Sequence, residues 1–370
     1  MRVLMVLGTR PEIIKLGPVY RELKNRDIDT DVFWSGQHVE MVSGLLELFD
    51  IEVTHQAHLE NYTNTLSIKF SEILGRISEI VNEKEYDYII VQGDTITALA
   101  GAMCGFFNQI PVAHVEAGLR TNNLYSPFPE EFNRKIITMS SSIHFAPTSG
   151  SINNLMIDGV HRDDIVRSGN TVVDAIEYAI KEVDETYVPV DADLKKIDPE
   201  KKLVLATMHR RENIGEKMEM VLKSIATLAD DGDKQIVLPV HMNPSVEKTV
   251  KRILGEKENV LLVKPLVYTD LVYLLKRAWT VISDSGGIQE EVPSLNIHML
   301  ITRDTTERPE VIDAGFGTLV GDDYDMIVTK VRELTQYHKV MIRKDNPFGD
   351  GNASIKIVDA LVRQNSWPQN

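Results

Sequence analysis

The stretch Ser283-Asp284-Ser285-Gly286-Gly287-Ile288-Gln289-Glu290-Glu291 follows an apolar run at residues 278–282, which predicts a short buried strand. A helix is predicted over residues 288–295, and Pro293 limits it to its first turns. A strand that passes into a helix through Ser-Gly-Gly leaves backbone N–H groups at the helix N-terminus, and glycine lets a ligand come close. The stretch therefore predicts a site for a nucleotide diphosphate, with Glu291 suited to the ribose hydroxyls. The alternative is an ordinary strand–helix connection.

The composition is that of a soluble globular protein with room for two domains. The chain has 370 residues, of which 43% are hydrophobic and 26% are charged. Its formal net charge of -15 argues against a nucleic-acid partner. Cys104 is the single cysteine, so no disulfide forms within the chain, which agrees with a cytoplasmic setting. The apolar start is too short for a signal peptide, and no apolar run is long enough to cross a membrane.

Apolar runs alternate with helical patterns through both halves of the chain, which is typical of parallel α/β domains. Predicted strands lie at residues 3–7, 31–35, 88–95, 110–118, 144–148, 202–207, 235–240, 260–263, 280–282 and 296–301, and a helix is predicted at 66–83. The strand at 144–148 is expected to be the last of the first half.

These elements predict two Rossmann-like domains that face each other across a cleft between their strand ends. The N-terminal domain is predicted at residues 1–170 and the C-terminal domain at 201–352. Residues 171–200, rich in Asp, Glu, Pro and Lys after a first helix, are predicted to be a hinge helix and linker. A last helix, at about 353–366, is expected to pack back on the first domain.

The first strand is followed by Gly8-Thr9-Arg10-Pro11-Glu12, in which Gly8 frees the turn and Pro11 fits the first turn of a helix. Arg10 and Lys15 place two cations near the start of that helix, where an anion such as phosphate is favoured. The pattern matches neither the dinucleotide-binding fingerprint nor the phosphate loop of ATPases. Nicotinamide cofactors and ATP hydrolysis are therefore disfavoured.

Three carboxylates are predicted at one rim of the first sheet. Asp94 follows one strand, Glu116 follows another, and Glu130 ends a loop that contains two prolines. A single acid at a strand end is usually a cap or a surface group. Carboxylates crowded together and partly desolvated raise one another's pKa, as general acid–base catalysis at neutral pH requires. We therefore predict that at least two of the three are catalytic.

Histidines and arginines follow other predicted strands. His209 and Arg210 follow the strand at 202–207 and suit a diphosphate or an imidazole poised near neutral pH. His38 follows the second strand, although a lone surface histidine is an equal alternative. Arg308 lies at a predicted helix start and is a second candidate cation for the nucleotide.

Taken together, these blocks resemble the non-hydrolysing UDP-N-acetylglucosamine 2-epimerase family along essentially the whole chain. The matching blocks are Gly8–Glu12, Gly36–Met41, Gln92–Thr95, His114–Arg120, Pro129–Glu131, His209–Glu212, Pro239–Pro244, Ser283–Glu291 and Arg303–Glu310. So many blocks in the same order are far more specific than any one of them.

The resemblance implies a GT-B-type fold and a homodimer. It implies reversible inversion at C2 of UDP-GlcNAc to UDP-ManNAc, by elimination of UDP to a 2-acetamidoglucal and re-addition, without a metal or nicotinamide cofactor. The product would supply ManNAc units for surface polysaccharides. A related UDP-2-acetamido sugar is an alternative substrate.

The resemblance also assigns roles by matching position. It implies catalytic roles for Asp94, Glu116, Glu130 and His209, and substrate contacts for Arg10, Lys15, Ser285, Gly286, Gly287, Glu291 and Arg308. A second, activating UDP-GlcNAc site in some members is matched by Gln37, His38, Glu131, Arg210 and His241. Which acid is the base and which the proton donor is left open.

The chain departs from the family pattern at three places. Met208 stands where a glycine commonly precedes the catalytic histidine, and its bulk is expected to affect that loop. Leu266 and Leu271 replace a glutamine and a phenylalanine near the uracil. Residues 296–298, Asn-Ile-His, replace Gly-Lys-Pro.

Three other functions use part of the same pattern. A GT-B glycosyltransferase acting on a UDP-sugar would share the Ser-Gly-Gly turn but does not need all three acids. A hydrolysing epimerase would release UDP and free ManNAc, although its N-terminal signature differs. A nucleotide-sugar sensor would use the same acids as ligands only.

Overall fold

The computed structural model of the protein describes residues 1–36, 39–57, 65–208, 215–240, 243–336 and 345–365. They form two compact units. Unit 1 comprises Met1–Ala175 and Phe348–Asn370, and unit 2 comprises Ile176–Pro347. The chain therefore passes between the units twice, and its C-terminal segment belongs to unit 1.

Unit 1 is built on a parallel sheet. Its described strands are β1 (Arg2–Leu7), β2 (Asp29–Trp34), β3 (His55–Gln56), β4 (Tyr88–Gln92), β5 (Val112–Val115), β6 (Ile143–Ala146) and β7 (Ile165–Arg167). They lie in the order β3-β2-β1-β4-β5-β6-β7, and all pairs are parallel. In β1, Leu4 pairs with Asp31 of β2 on one side and Ile89 of β4 on the other. The order of the strands thus reverses between β1 and β4.

Unit 2 is built on a second parallel sheet. Its described strands are β8 (Lys202–Thr207), β9 (Lys234–Pro239), β10 (Val260–Val263), β11 (Thr280–Ser283), β12 (His298–Ile301) and β13 (Gly317–Leu319). They lie in the order β10-β9-β8-β11-β12-β13, again with parallel pairs. Counted from β8, this is the Rossmann order 3-2-1-4-5-6, and it reverses between β8 and β11.

Helices connect the strands of both sheets. They are α1 (Arg10–Asn25), α2 (Val39–Leu48), α3 (Leu66–Glu83), α4 (Ile96–Phe107), α5 (Glu130–Ser140), α6 (Ser149–Ile157), α7 (Thr171–Glu182), α8 (Glu216–Asp230), α9 (Pro244–Leu254), α10 (Tyr268–Arg277), α11 (Gly286–Glu291), α12 (Pro309–Asp313), α13 (Tyr324–Thr335) and α14 (Ala353–Asn365). Within the described ranges, no helix is both long enough and apolar enough to cross a membrane.

The central strands are apolar without alternation because both of their faces are covered. In unit 1, Leu4 and Val6 of β1 are fully buried in one cluster with Ile77 of α3. In unit 2, Val204 of β8 is fully buried in a second cluster with Leu222 of α8. Each unit therefore has its own core.

Several elements of four or more residues agree with the sequence prediction, whereas a strand of three residues was missed. The helix over residues 66–83 and the strands over 202–207 and 260–263 have the predicted bounds. The prediction that 144–148 is the last strand of the first half was wrong, because β7 pairs beside β6 at the sheet edge. With three residues, β7 is too short to show any periodicity.

The segment that follows α7, for which we predicted a linker, is fastened to unit 2. The buried Asp270 of α10 accepts hydrogen bonds from the Tyr187 hydroxyl at 2.7 Å and from the N–H groups of Val190 at 2.9 Å and Asp191 at 2.8 Å. A single α10 carboxylate thus satisfies three donors of the segment. The division between the units lies further back, between Ala175 and Ile176 within α7.

The last helix, α14, is held to unit 1 at its N-terminus. The carboxylate of Asp174 accepts the N–H groups of Ala353 at 3.1 Å and Ser354 at 2.8 Å, and the Ser354 hydroxyl at 2.6 Å. It therefore takes up donors that a helix leaves unpaired in its first turn. Further along, Arg26, which directly follows α1, forms an ion pair with Asp359 at 2.6 Å.

Candidate active site

The reversals of strand order locate the candidate sites. In open parallel sheets, ligands bind beyond the carboxyl ends of the strands, where the order reverses. In unit 1, this edge carries the turn after β1, with Arg10 at the start of α1, and the turn after β4, with Asp94. In unit 2, it carries Met208 after β8 and Ser285 after β11.

Glu116 lies in a buried polar cluster just beyond β5. Its Oε1 accepts a 2.6 Å hydrogen bond from the Lys15 ammonium, and both side chains are more than 90% buried. The side-chain amide of Gln92 donates to the other oxygen. Glu116 has a φ of +64°, a left-handed conformation that is strained for a non-glycine residue and that concentrates at functional sites. The backbone conformation that positions this carboxylate is therefore energetically unfavourable.

Asp94 is held by α5. Its carboxylate accepts from the guanidinium of Arg134 at 2.8 Å and 2.7 Å, and its backbone carbonyl accepts from the amide of Asn133 at 2.7 Å. The same guanidinium reaches Glu131 at 3.0 Å. Arg134 therefore ties the turn after β4 to the start of α5.

Glu130 is the first residue of α5 and the third predicted acid. A carboxylate in this first turn is favoured by the helix dipole. Its Oε2 is buried and has no hydrogen-bond partner among the described residues. Unlike the other two acids, Glu130 is thus not committed to a structural contact through that oxygen.

Glu131, predicted at the activating site, is fully buried. Its two oxygens accept the N–H groups of Thr121 at 3.0 Å and Asn122 at 2.9 Å, and the Arg134 guanidinium at 3.0 Å. Burial opposes ionisation, but these donors outweigh it and hold the pKa of Glu131 below its usual value. In this conformation, Glu131 anchors the loop that precedes Glu130.

Glu12, which we did not single out from the sequence, is fully buried between the two turns of the unit 1 edge. It accepts from the N–H of Thr9 at 2.5 Å and its hydroxyl at 2.8 Å, as in a capping box, and from the Thr95 hydroxyl at 2.8 Å. Burial raises the pKa of Glu12 to about 7, although these hydrogen bonds lower it. In the sequence, this contact is indicated by a glutamate three residues after a threonine at the N-cap position of α1.

The buried histidines of neighbouring strands are also close to this edge. His114 of β5 and His144 of β6 are paired in register, and the ring of His114 lies 2.8 Å from the carbonyl of Gly93. Burial lowers the pKa of His114 to about 3 and that of His144 to about 4. Both imidazoles are therefore neutral near neutral pH.

In unit 2, α11 begins at Gly286, two residues earlier than predicted. Ser285 caps it by accepting the N–H of Ile288 at 3.5 Å. A Cβ added to Gly286 would lie 2.8 Å from Nη1 of Arg308, so the guanidinium rests directly against the glycine backbone. A larger residue at position 286 would therefore displace the Arg308 guanidinium.

Arg308 immediately precedes α12, as predicted, and is braced by acids. Its Nε donates to the buried Glu290 at 2.6 Å, and its Nη1 lies 3.5 Å from Glu307. Glu307 in turn accepts two hydrogen bonds from Arg303, at 2.8 Å and 3.0 Å. Glu291 is also buried. The structure thus brings the predicted residues Ser285, Gly286, Glu291 and Arg308 into one unit.

Five predicted residues cannot be placed. They lie outside the described ranges and are Gln37, His38, His209, Arg210 and His241. The activating site therefore stays a prediction, as does the catalytic role of His209. In the described part of the chain, no group of three or more His, Cys, Asp or Glu side chains could hold a metal ion.

The departures from the family pattern have local explanations. Met208 is buried in the hydrophobic core of unit 2, so its bulk packs inward. Asn296 has a φ of +55°, and asparagine is the residue that best replaces glycine there. His298 lies between the Gly315 carbonyl at 3.1 Å and the Thr318 hydroxyl at 2.9 Å. Leu266 is also buried.

Two parallel sheets of Rossmann order, each with polar groups at its reversal point, define the class as a two-unit α/β protein with a GT-B-like fold. A sequence profile described as UDP-N-acetylglucosamine 2-epimerase matches residues 21–362. The chain belongs to the UDP-N-acetylglucosamine 2-epimerase family. The predicted family and fold class are therefore confirmed.

Relatives match along the full length. The UDP-N-acetylglucosamine 2-epimerase of Escherichia coli strain K12 is 42% identical over 98% of both chains. That of Neisseria meningitidis serogroup A is 40% identical over 98% of this chain and 100% of its own. A crystal structure of UDP-GlcNAc 2-epimerase from Neisseria meningitidis bound to UDP-GlcNAc has a TM-score of 0.89 and 39% identity, with 98% of this chain and 100% of that chain covered.

Proposed function

We propose that the chain is a cytoplasmic enzyme that interconverts UDP-GlcNAc and UDP-ManNAc by inversion at C2. Membership of the 2-epimerase family over nearly the whole chain carries this proposal. The edge of the unit 1 sheet adds support, since Asp94, Glu116 and Glu130 supply carboxylates where the strand order reverses.

The proposed reaction is an elimination followed by re-addition. A carboxylate removes the proton from C2 while the bond between C1 and the diphosphate oxygen breaks, and its electron pair leaves with UDP. The products are 2-acetamidoglucal and UDP. UDP then adds back at C1 as a proton is delivered to the opposite face of C2. The reaction thus needs a base, an acid and a firm hold on the diphosphate.

In this proposal, unit 1 handles the sugar ring. Asp94, Glu116 and Glu130 provide the proton-transferring groups, and His209 is the fourth proposed catalytic residue. The buried ion pair between Lys15 and Glu116, at 2.6 Å, supports a role for Glu116 because its position is defined on both sides.

In the same proposal, unit 2 holds the UDP. Gly286 and Gly287 offer backbone at the start of α11, and Arg308 offers a guanidinium that contacts this backbone. Such donors stabilise the charge that develops on a departing diphosphate. Glu291 is assigned to the ribose.

Exchange in deuterated water tests the reaction. We expect the protein, incubated in D₂O with UDP-GlcNAc alone, to produce UDP-ManNAc and to place deuterium at C2. Proton and phosphorus NMR measure the two signals. The diphosphate linkage should persist in both sugars because UDP re-adds.

Each rival function predicts another spectrum. Free ManNAc would identify a hydrolysing enzyme. An unchanged spectrum, with UDP-GlcNAc bound, would fit a sensor or a transferase that lacks its acceptor, and it would refute the proposed reaction for this substrate.

We further propose that the enzyme is a homodimer that pairs through the ends of α4 and α5. Phe106 is 58%, Phe107 62% and Met139 78% exposed. The hydroxyl of Ser140 lies 3.6 Å from the sulfur of Met103, which brings the two helix ends together. Large apolar side chains left in water at adjoining helix ends are typical of a protein interface.

Light scattering after gel filtration tests this interface. We expect a mass of twice the 41.7 kDa chain for the natural protein. The double change Phe106→Glu and Phe107→Glu should give the monomer mass, because it buries charge in the interface. Val188→Glu, at an exposed apolar position of unit 2, is the matched control and should remain dimeric. A dimer that survives the double change would place the interface elsewhere.

A further inference from the structure

The turn that carries Asp94 is held from three sides by buried side chains. The turn comprises residues 93–95 and follows β4. Gly93 has a φ of +69°, which brings the chain sharply out of the sheet. The three side chains come from α1, β5 and α5, and none of them belongs to the turn.

Each side chain contacts one residue of the turn. The ring of His114 reaches the Gly93 carbonyl at 2.8 Å, and the amide of Asn133 reaches the Asp94 carbonyl at 2.7 Å. The carboxylate of Glu12 accepts from the Thr95 hydroxyl at 2.8 Å. Three consecutive residues are therefore fixed by three separate elements.

The His114 contact has a defined direction. A carbonyl only accepts, so Nε2 must carry the proton and donate it. Burial lowers the pKa of His114 to about 3, which keeps the ring neutral and this tautomer in place at ordinary pH.

These contacts are not those of a core optimised for stability alone. Nδ1 of His114 and Oδ1 of Asn133 are buried with no hydrogen-bond partner among the described residues. Each side chain therefore places a second polar atom in the interior, which is unfavourable, in order to make a single contact with the turn. Leucine at either position would avoid this cost but would lose the contact.

We propose that Glu12, His114 and Asn133 are positioning residues that orient the Asp94 carboxylate for proton transfer. The proposal rests on the function proposed above. Hydrogen bonds to both peptide carbonyls around Asp94 set the direction of its Cα–Cβ bond. Arg134 then sets the carboxylate itself, through contacts at 2.8 Å and 2.7 Å.

Paired substitutions test the proposal in the exchange assay. We expect His114→Leu and Asn133→Leu each to lower kcat about 100-fold, since a small misplacement of a catalytic group has effects of that order. KM for UDP-GlcNAc should stay unchanged, because Asp94 acts on C2. His114→Gln keeps a donor at the same distance along the side chain and should recover most of kcat.

The control is Asn259→Leu in unit 2. It removes a contact of the same kind, from the side-chain amide to the Ala229 carbonyl at 2.9 Å, and also the hydrogen bond that Asn259 accepts from Lys201. It should keep the natural kcat. Natural kcat in both leucine variants, or equal losses in His114→Gln and His114→Leu, would overturn the proposal. A natural protein that exchanges no deuterium at C2 would instead count against the proposed function.

Discussion

Glu130→Gln is expected to lower the turnover of UDP-GlcNAc by about 100- to 10 000-fold, the range that general acid–base groups contribute. The change keeps the shape of the side chain and removes its ability to exchange a proton. Because Oε2 of Glu130 is buried without a hydrogen-bond partner among the described residues, no structural contact with them is lost through that oxygen. The folded protein should therefore be as stable as before, and UDP should still bind.

Glu72→Gln is the matched control for this substitution. Glu72 also has a buried Oε2 with no hydrogen-bond partner in the described chain, but it lies on α3 and has no proposed role in the reaction. Turnover is measured by the appearance of UDP-ManNAc, and UDP binding by calorimetry. Equal turnover in the two variants would remove Glu130 from the mechanism.

The three acids of unit 1 could be found from the sequence, but their partners could not. Asp94, Glu116 and Glu130 each follow a recognisable strand or proline-rich loop, so their common edge follows from topology. Lys15 was assigned to an anionic ligand, yet it contacts Glu116, which is 101 residues away. Only the sheet order brings these two together, and no local pattern encodes it.

The position of Arg134 on α5 is a sequence signal for its contact with Glu131. Arg134 stands four residues after Glu130 and three after Glu131 on one helix, a spacing that places side chains on the same face. Its ion pair with Asp94 depends again on the neighbouring strand. The edge strands β3, β7 and β13 have two or three residues, so they are defined by the strand they pair with rather than by periodicity.

The charged residues predicted for the site have different partners in the two units. In unit 1, the carboxylates Asp94 and Glu116 are each held by a cation. In unit 2, the cation Arg308 is held by the carboxylates Glu290 and Glu307. A group held by opposite charge keeps its geometry while a reaction proceeds, which is the main requirement for electrostatic preorganisation.

Acidification is expected to weaken unit 1 through His114 and His144. Their pKa values, about 3 and about 4 in the folded protein, lie below the ordinary value of 6.5. The unfolded chain therefore takes up protons first, and the stability that the neutral rings contribute is lost as pH falls below 6.5. Between pH 7 and pH 5 this amounts to about 2 kcal/mol for each histidine, or about 4 kcal/mol together. That is a large part of the stability of an ordinary domain.

Protonation of Glu12 changes the stability in the opposite direction as pH falls. The prediction is therefore stated as a difference between the natural protein and a variant that lacks the two buried histidines. The Glu12 pKa of about 7 lies above the ordinary 4.5, and protonation below pH 7 relieves an unfavourable buried charge. This contribution is common to the natural protein and to the double variant His114→Gln, His144→Gln, whose amides do not titrate. We expect the natural protein to lose about 4 kcal/mol relative to the double variant between pH 7 and pH 5.

Hydrogen exchange of the β5 and β6 amides measures this difference within unit 1, after correction for the intrinsic rate at each pH. His161→Gln is the control, since the His161 side chain is 75% exposed, and it should follow the natural protein at both pH values. If the double variant also followed the natural protein, the two buried rings would not take up protons on unfolding in this range. A separation of the curves that grows as pH falls below 6.5 would show that they do.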